Sequence, residues 1–296
     1  MRSPLAFILC VTIGTSLAQS PATNLYQYNY TSIAPTFAGQ DGYKATVMGG
    51  ALVPNAGRAL ISGLVGFEGK IDGIDSGVGF NASVLQTSTR TMSYYNLLYN
   101  YSLNVGKNKL IFGTTFGIHR ETIHWDRYVA LTPNDPLLNT PNKTIEQRLN
   151  VGLSTLFKTE KFFVGLSVDN LSRSNQFVGW LYEAYRTNSP QLKVITGIDT
   201  RIADWLSSSH SLYVINTDKY LWVDINNSFL IRNWLIMGLN CGFDPDGDFL
   251  PRVNTGVRIR NVAKIVASVY SEDYNRGSMK FQGQLMMVFS FSDHQQ

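Results

Sequence analysis

The chain has 296 residues, a formal net charge of +4 and a charged fraction of 16%, which is low beside the roughly one quarter that is typical of soluble proteins. After the N-terminus no stretch of roughly eighteen uninterrupted apolar residues occurs, which excludes a helical membrane protein. The positive charge is spread along the chain, so we expect no nucleic-acid partner. Low charge without long apolar runs is typical of a membrane β-barrel, because only every second residue of a strand faces lipid.

Residues 1–18 have the pattern of a secretory signal peptide. Arg2 supplies the positive charge, residues 5–13 form an apolar core, and a small-x-small cleavage site ends at Ala18. An apolar run this short is unsuited to a membrane anchor. We therefore expect export across the inner membrane, with cleavage near Ala18.

Residues 19–42 are rich in tyrosine, contain Pro35 and lack clean alternation of apolar and polar residues. We predict a lead-in or plug-like segment here rather than a strand. Gly39 and Gly42 indicate a turn into the first regular segment.

From Tyr43 onward the chain consists of short strand-like segments separated by turn residues, without a convincing helical stretch. This pattern predicts about fourteen strands. We place them at 43–51, 58–67, 74–86, 90–104, 108–122, 145–157, 161–170, 191–202, 210–216, 219–230, 234–243, 252–260, 263–272 and 280–291. The barrel would then span 43–291 and leave a short tail at 292–296.

The last strand, 280–291, alternates over its whole length. One face carries apolar residues and glycine: Phe281, Gly283, Leu285, Met287, Phe289 and Phe291. The other face carries Lys280, Gln282, Gln284, Met286, Val288 and Ser290. Such a strand suits a tilted membrane span, and its aromatic-x-aromatic ending, Phe289 and Phe291, is the pattern that outer-membrane barrels present to their insertion machinery. Taken alone, it would also fit an edge strand of a soluble sandwich.

The connections between strands separate these two interpretations. The turns after even-numbered strands are short, at 106–108, 158–160, 232–233 and 261–262. The two longest connections, 125–144 and 171–190, follow odd-numbered strands. An outer-membrane barrel keeps its periplasmic turns short and its extracellular loops long, and a sandwich has no reason to do so. The fold class that we predict is therefore all-β: an outer-membrane transmembrane antiparallel β-barrel.

Two polar clusters are candidate metal sites. His119 and His124 would point to opposite faces of one strand, so a shared metal is geometrically poor there. The acidic stretch 244–248 begins like a calcium loop, but Thr255 occupies the position that requires an acid, so we interpret it as a hairpin turn. No nucleophile elbow, zinc-protease motif or phosphate-binding loop occurs. We predict no enzyme activity, no cofactor and no metal site.

The inward face carries charges of both signs: Glu146, Arg148, Asp169, Asp199, Arg201, Asp224, Arg252, Arg258, Arg260 and Lys280. Mixed charges could tie the barrel interior closed through ion pairs, or they could line a water-filled pore. Both possibilities stay open at this point.

Residues 26–39, YQYNYTSIAPTFAG, resemble the opening segment of the PorP/SprF-like membrane proteins of the type IX secretion and gliding system of Bacteroidetes. That segment is close to Q-Y-x-x-N-x-x-x-x-N-P-A-x-A-G. The matching positions are Tyr26, Asn29, Pro35, Ala38 and Gly39, whereas Leu25, Ala34 and Thr36 depart from the pattern and indicate a divergent member. Residues 150–171 are also similar to the family's paired strands with a tight charged turn.

The resemblance implies an outer-membrane barrel that works in type IX protein secretion, without catalytic residues. Some members belong to the translocon or motor machinery, and others act as partner or surface anchor of one secreted adhesin-like protein; we favour the second. The partner's C-terminal domain would be recognised by loops 125–144 and 171–190. Their aromatic residues, which could equally form the outer interfacial girdle in contact with outer-membrane lipid, are Trp125, Tyr128, Phe177, Trp180, Tyr182 and Tyr185. The alternative function is a passive channel for small solutes.

Overall fold

A computed structural model describes residues 25–52, 60–127, 143–172, 190–216, 221–243, 249–274 and 278–291. Within these ranges, fourteen strands form one closed antiparallel barrel, in which each strand pairs with its neighbours in the chain and the first pairs with the last. The strands are β1 (Tyr43–Leu52), β2 (Leu60–Ile71), β3 (Ser76–Gln86), β4 (Arg90–Val105), β5 (Asn108–His124), β6 (Lys143–Lys158), β7 (Phe162–Asp169), β8 (Gln191–Ala203), β9 (Leu206–Asn216), β10 (Leu221–Ile231), β11 (Leu235–Phe243), β12 (Phe249–Ile259), β13 (Ala263–Tyr274) and β14 (Ser278–Phe291).

The helical content of the described chain is small. Three 3-10 helices precede the barrel, at Tyr26–Tyr28, Tyr30–Ser32 and Pro35–Phe37, and a fourth, Trp125–Arg127, follows β5. None of the helices in these ranges is long and apolar enough to cross a membrane.

The predicted fold class is confirmed, and the strand boundaries differ in detail. Strand β2 continues to Ile71 rather than ending at residue 67, because the tight turn after it lets the pairing with β3 run on to Ile71 and Ser76. Strand β9 begins at Leu206 rather than at residue 210. The backbone groups of the serines at 207–209 pair with β8 and β10, so they belong to the strand.

The alternation of faces follows the predicted pattern. In β14, Leu285, Phe289 and Phe291 are 45%, 36% and 54% exposed on the outside, whereas Met286 and Val288 are buried inside. Strand β12 repeats this arrangement, with Val253 outside and Asn254 inside. An apolar outer surface around an inner surface with many polar groups is what a lipid-embedded barrel requires.

The two ends of the barrel differ. One end, here called the short-turn end, carries only brief connections: 72–75, 106–107, 159–161, 204–205, 232–234 and 260–262. The opposite end, the long-loop end, carries the connections after β5 and β7, as the sequence predicted. By the same asymmetry the short-turn end corresponds to the periplasmic side.

Strands β4, β5 and β6 are the longest of the described strands. They have 16, 17 and 16 residues, whereas about 9–11 residues cross a bilayer. Their outward face becomes polar near this end, where Ser93, Arg120 and Gln147 lie side by side in register. A charged outward residue is costly in the hydrocarbon region, so we infer that these three strands project beyond the lipid.

Candidate functional site

Residues 25–42, here called the N-terminal plug, lie inside the barrel. Leu25 is fully buried and belongs to an apolar cluster on the walls formed by β1, β2, β11, β13 and β14. The plug residues Tyr26, Ile33 and Phe37 belong to a second apolar cluster, with side chains of β5–β9. The two clusters lie against different parts of the inner wall, β5–β9 and the strands around β14, so the plug reaches across the lumen. Apolar inward residues such as Met286 therefore face the plug rather than water.

The second cluster contains a group of packed rings. Tyr30 stacks on Phe37 with ring centroids 4.9 Å apart, and both rings meet the edge of Phe163 from β7, at 5.2 and 5.3 Å. Tyr26 contacts the ring of Tyr213 from β9 at 5.0 Å. Aromatic pairs in these geometries stabilise beyond the area they bury. The plug is therefore held by a small hydrophobic core of its own.

Polar wall residues satisfy the backbone of the plug. The Asn100 side chain donates to the carbonyl oxygens of Pro35 and Ala38 at 2.9 and 2.7 Å. Asn81 donates to the Thr31 carbonyl at 2.9 Å. These bonds matter because an irregular segment has buried carbonyl and amide groups that no strand partner satisfies.

The turn at the end of the plug is fixed by a carboxylate. The Gly39 amide donates to Glu68 Oε2 at 2.9 Å, and the Glu68 side chain is only 9% exposed. Gly39 has a φ of +68°, and a Cβ added there would lie 2.3 Å from the Gly69 carbonyl oxygen. Only glycine fits this backbone conformation and this close approach.

The wall against the plug is also built from glycine. A Cβ on Gly77 would lie 2.0 Å from the Ala38 carbonyl oxygen, and one on Gly113 would lie 2.8 Å from the Thr36 amide nitrogen. Both positions are on the inner face of the strands that surround the segment 35–39. These glycines create the space that the plug backbone occupies.

A polar chain links the plug to a buried ion pair. Asn226 donates to the Tyr26 hydroxyl oxygen at 2.5 Å and to Asp224 at 2.5 Å. Asp224 in turn pairs with Arg252, and both side chains are almost fully buried. Burial, and then the nearby Asp224 charge, raises the pKa of Tyr26 well above its ordinary value, so the hydroxyl stays protonated.

The inner wall toward the long-loop end holds further ion pairs. Arg148 lies 2.6 Å from Glu146, Lys193 lies 2.5 Å from Asp169, and Arg90 lies 3.5 Å from Glu121. With Arg252 and Asp224, these four cations and four anions balance. Lys193 also donates to the carbonyl of Ile33 in the plug, at 3.4 Å. The sequence left open whether the inward charges close the interior through ion pairs or line a water-filled pore. This part of the lumen fits the first possibility better.

The five residues of the family motif all lie in the plug. Tyr26, Pro35, Ala38 and Gly39 make the contacts described above, and Asn29 is buried, where it accepts from the Thr31 hydroxyl. The three positions that depart from the motif, Leu25, Ala34 and Thr36, are buried as well. The residues that match the motif and the residues that depart from it are therefore buried in the same enclosed surroundings.

The other predicted site residues are only partly described. Trp125 is half-buried and donates through Nε1 to the Thr144 hydroxyl at 2.7 Å. The other loop aromatics lie outside the described residues: Tyr128, Phe177, Trp180, Tyr182 and Tyr185. The same is true of the acidic stretch 244–248, of residues 1–18, which were predicted to be a signal peptide, and of the tail 292–296.

Several charged residues that the sequence assigned to the inward face lie outside the ion-paired region of the lumen. Asp199, Arg201 and Arg260 are exposed, at or near the rim of the short-turn end. His119 stacks on Tyr94 with centroids 4.1 Å apart. In the described parts of the chain, no group of three or more histidine, cysteine or acidic side chains could hold a metal ion.

Sequence reasoning missed the wall residues that hold the plug. Glu68, Asn81, Asn100 and Asn226 are buried polar side chains on inward faces of four different strands. A possible signal was the recurrence of asparagine at inward positions, since a channel wall exposed to water has no particular need for amides.

The comparisons with known proteins agree with this architecture. A family model described as "Type IX secretion system membrane protein PorP/SprF" matches residues 15–278. No curated protein matches the sequence. Among solved structures, the chain is similar to the outer membrane protein Omp33 of Acinetobacter baumannii, with a TM-score of 0.54 and 9% identity over 85% of this chain and 99% of that chain. It is also similar to the toluene transporter TbuX of Ralstonia pickettii, with a TM-score of 0.53 and 7% identity over 88% and 93%. At such identities the likeness shows the fold alone.

Proposed function

Since the chain belongs to the PorP/SprF family of type IX secretion system membrane proteins, we propose that it is a non-enzymatic outer-membrane barrel that binds a protein exported by the type IX route and retains it at the cell surface. The partner would be an adhesin-like protein, bound through its C-terminal domain. The observation that carries this proposal is the plug inside the lumen. A plug that contacts the wall on different sides of the lumen favours a function at the surfaces of the barrel over free passage of solutes through its bore.

The packing of the plug supports this view over the channel alternative. Its contacts reach walls formed by β1 and β2, by β4–β6 and by β8–β10, through Glu68, Asn100, Lys193 and Tyr213. A water-filled path for solutes would have to pass between these contacts. A passive channel is therefore the less favoured function.

The long-loop end is the surface that we assign to the partner. Strands β4–β6 project there, and the connections after β5 and β7 are the longest of the barrel. Trp125 is oriented by its bond to Thr144 at the base of the first of these loops. Aromatic residues held in place in this way are the side chains that protein interfaces favour.

Replacing residues 173–189 by a Gly/Ser linker of equal length is expected to release the secreted partner from cells into the medium. The change removes four of the six proposed aromatic contacts, Phe177, Trp180, Tyr182 and Tyr185, and leaves Leu171 bonded to β6. The measurement is the ratio of cell-bound to released partner, with heat-modifiable migration on a gel as the test of barrel folding. The same replacement of residues 244–248 is the control. Normal retention of the partner after the 173–189 replacement would show that this loop is not the interface.

A pull-down of the tagged protein from its own outer membrane, followed by mass spectrometry, distinguishes the two roles known for the family. A large secreted protein as the main companion is the result that we expect. Recovery of translocon or motor components instead would assign the protein to the machinery. Recovery of the barrel alone would favour the channel.

A further inference from the structure

Two polar side chains lie on the lipid-facing surface of β9 and β10. The register of β8–β11 aligns four outward residues in one row: Ile198, His210, Asn227 and Leu239. Ile198 and Leu239 are 44% and 64% exposed, as apolar residues of a lipid-facing row should be. His210 and Asn227 interrupt this row and are half-buried. The residue before Asn227 is Asn226, which faces the plug, so Asn227 faces outward.

This polar pair lies at the depth of the hydrocarbon core. Strands β9 and β10 each have 11 residues, and His210 and Asn227 are each the fifth residue from the short-turn end. The adjoining turns carry Trp205 and Trp234, 57% and 52% exposed, which are typical of the boundary between lipid and water. About 9–11 residues of a tilted strand cross a bilayer, so the fifth residue is near the middle of the span. A hydrogen-bonding group without a partner is costly at this depth.

Hydrogen bonds determine which polar groups of the pair are left over. Asn227 donates through Nδ2 to the Leu239 carbonyl at 3.1 Å, so its Oδ1 is turned toward His210. His210 Nδ1 therefore donates to Asn227 Oδ1 at 2.8 Å, and Nε2 of the neutral ring is an acceptor. The edge of Phe229 holds the ring, with centroids 6.0 Å apart. Among the described residues, nothing donates to Nε2, and the second Nδ2 hydrogen of Asn227 has no acceptor.

Other polar groups of the outer face are satisfied within the barrel. The Thr114 hydroxyl donates to the carbonyl of Gly152 at 3.1 Å, and the Thr196 hydroxyl donates to the carbonyl of Phe163 at 3.0 Å. Each of these hydroxyl hydrogens is used by a neighbouring strand. The pair on β9 and β10 differs, because it presents one acceptor and one donor to the lipid side by side.

We propose that His210 and Asn227 form the centre of an interface through which two copies of this chain associate in the plane of the membrane. An acceptor and a donor at neighbouring positions make the patch complementary to itself. Across a two-fold axis, His210 Nε2 of each copy accepts from Asn227 Nδ2 of the other, which gives two equivalent hydrogen bonds. In lipid, apolar surfaces gain little from contact with each other, and polar groups hold membrane-spanning segments together. The exposed side chains of Ile198 and Leu239 pack at the edges of this contact.

Distance measurements between spin labels test this interface in the protein purified from its own outer membrane and placed in phospholipid vesicles. The label is attached at Leu212→Cys, two residues from His210 on the same outward face, in a chain with Cys241→Ser. Two associated copies are expected to give a short, narrow distribution of label-to-label distances. The matched control is Val65→Cys, which is 54% exposed and lies on β2, seven strands from β9 and so on the opposite side of the barrel. No short distance is expected there.

Two substitutions at His210 separate its hydrogen bonds from its bulk. His210→Leu is expected to weaken the association by roughly tenfold or more, because both hydrogen bonds across the two-fold axis are lost within lipid. His210→Gln keeps an acceptor oxygen and a donor to Asn227, so it should retain the short distance. Leucine suits a lipid-facing position, and heat-modifiable migration on a gel shows that each variant is folded.

The absence of a short distance at position 212 would overturn the proposal. The same distance distribution at positions 212 and 65 would also overturn it, since it would reflect random encounters. An unchanged distance at position 212 after His210→Leu would show that the polar pair does not hold the copies together. If a different outer-membrane protein is recovered with the parent chain and lost with His210→Leu, while no short distance is seen, the patch belongs to that protein and the second copy is ruled out.

Discussion

Gly77→Ala is expected to displace the N-terminal plug from its position in the lumen. The new methyl group would lie 2.0 Å from the carbonyl oxygen and 2.9 Å from the carbonyl carbon of Ala38, which are backbone atoms that cannot rotate away. Asn100, which bonds the same carbonyl, lies close to the same point. Overpacking of this kind costs about 1–3 kcal/mol even where side chains can adjust, so we expect separation of the plug from the wall.

The readout is the labelling of a cysteine introduced at Thr36, in a chain with Cys241→Ser. Thr36 is 1% exposed, so a maleimide should label it slowly in the parent and much faster after Gly77→Ala. The matched control is Gly49→Ala, since a Cβ at Gly49 meets no atom within 4 Å. Both substitutions change the unfolded chain alike. Equal labelling of the two variants would show that the plug does not rest against Gly77.

The second large effect is expected at the buried ion pair. Asp224→Ala leaves the Arg252 charge in a site where its side chain is 2% exposed and breaks the chain through Asn226 to Tyr26. Removing one partner of a buried pair typically costs about 3–5 kcal/mol. We expect a loss of this size in the free energy of unfolding, measured by urea titration in detergent with tryptophan fluorescence as the signal.

Two controls separate the buried charge from other causes. Asp224→Leu with Arg252→Met removes both charges and should recover most of the lost stability, because a buried pair replaced by apolar groups is often near neutral. Asp204→Ala breaks an exposed pair, in which Arg201 and Asp204 are 68% and 98% exposed, and should change stability little. A double variant as unstable as Asp224→Ala would mean that the pair itself is not the cause.

The barrel could be predicted from the sequence because the alternation of apolar and polar residues is visible within each strand. Strands such as 252–260 and 280–291 alternate with period two, and the membrane simply places the apolar set outside. The short turns of the barrel, such as 106–107 and 260–262, distinguish the periplasmic end from the extracellular end. Neither inference requires knowledge of a distant contact.

The position of the plug could not be predicted in the same way. Its contacts come from single inward residues on separate strands, such as Glu68, Asn100 and Lys193, and these meet the segment 25–42 only when the barrel closes. The motif residues Pro35, Ala38 and Gly39 indicated a structural role without saying against what. The answer depends on Gly77 and Gly113, whose missing side chains leave no positive pattern in a sequence.

Two local departures from the predicted strand pattern also depend on contacts that form only when the barrel closes. Ser207 to Ser209 lie before the predicted strand 210–216, yet they continue β9, because a closed barrel pairs every backbone group that a neighbour can reach. Met286 and Val288 are apolar on an inward face, which a water-filled lumen would not favour. Both face the cluster around Leu25, so the plug explains them.

Planar-bilayer recording of the chain without residues 1–18, beside a variant that also lacks residues 25–40, tests whether the plug closes the lumen. We expect no stable ohmic openings for the chain that keeps its plug, because the plug contacts walls on different sides of the lumen. We expect discrete openings for the shortened chain, provided that gel migration shows a folded barrel. Stable openings of the same conductance in both proteins would show that the plug leaves the lumen open.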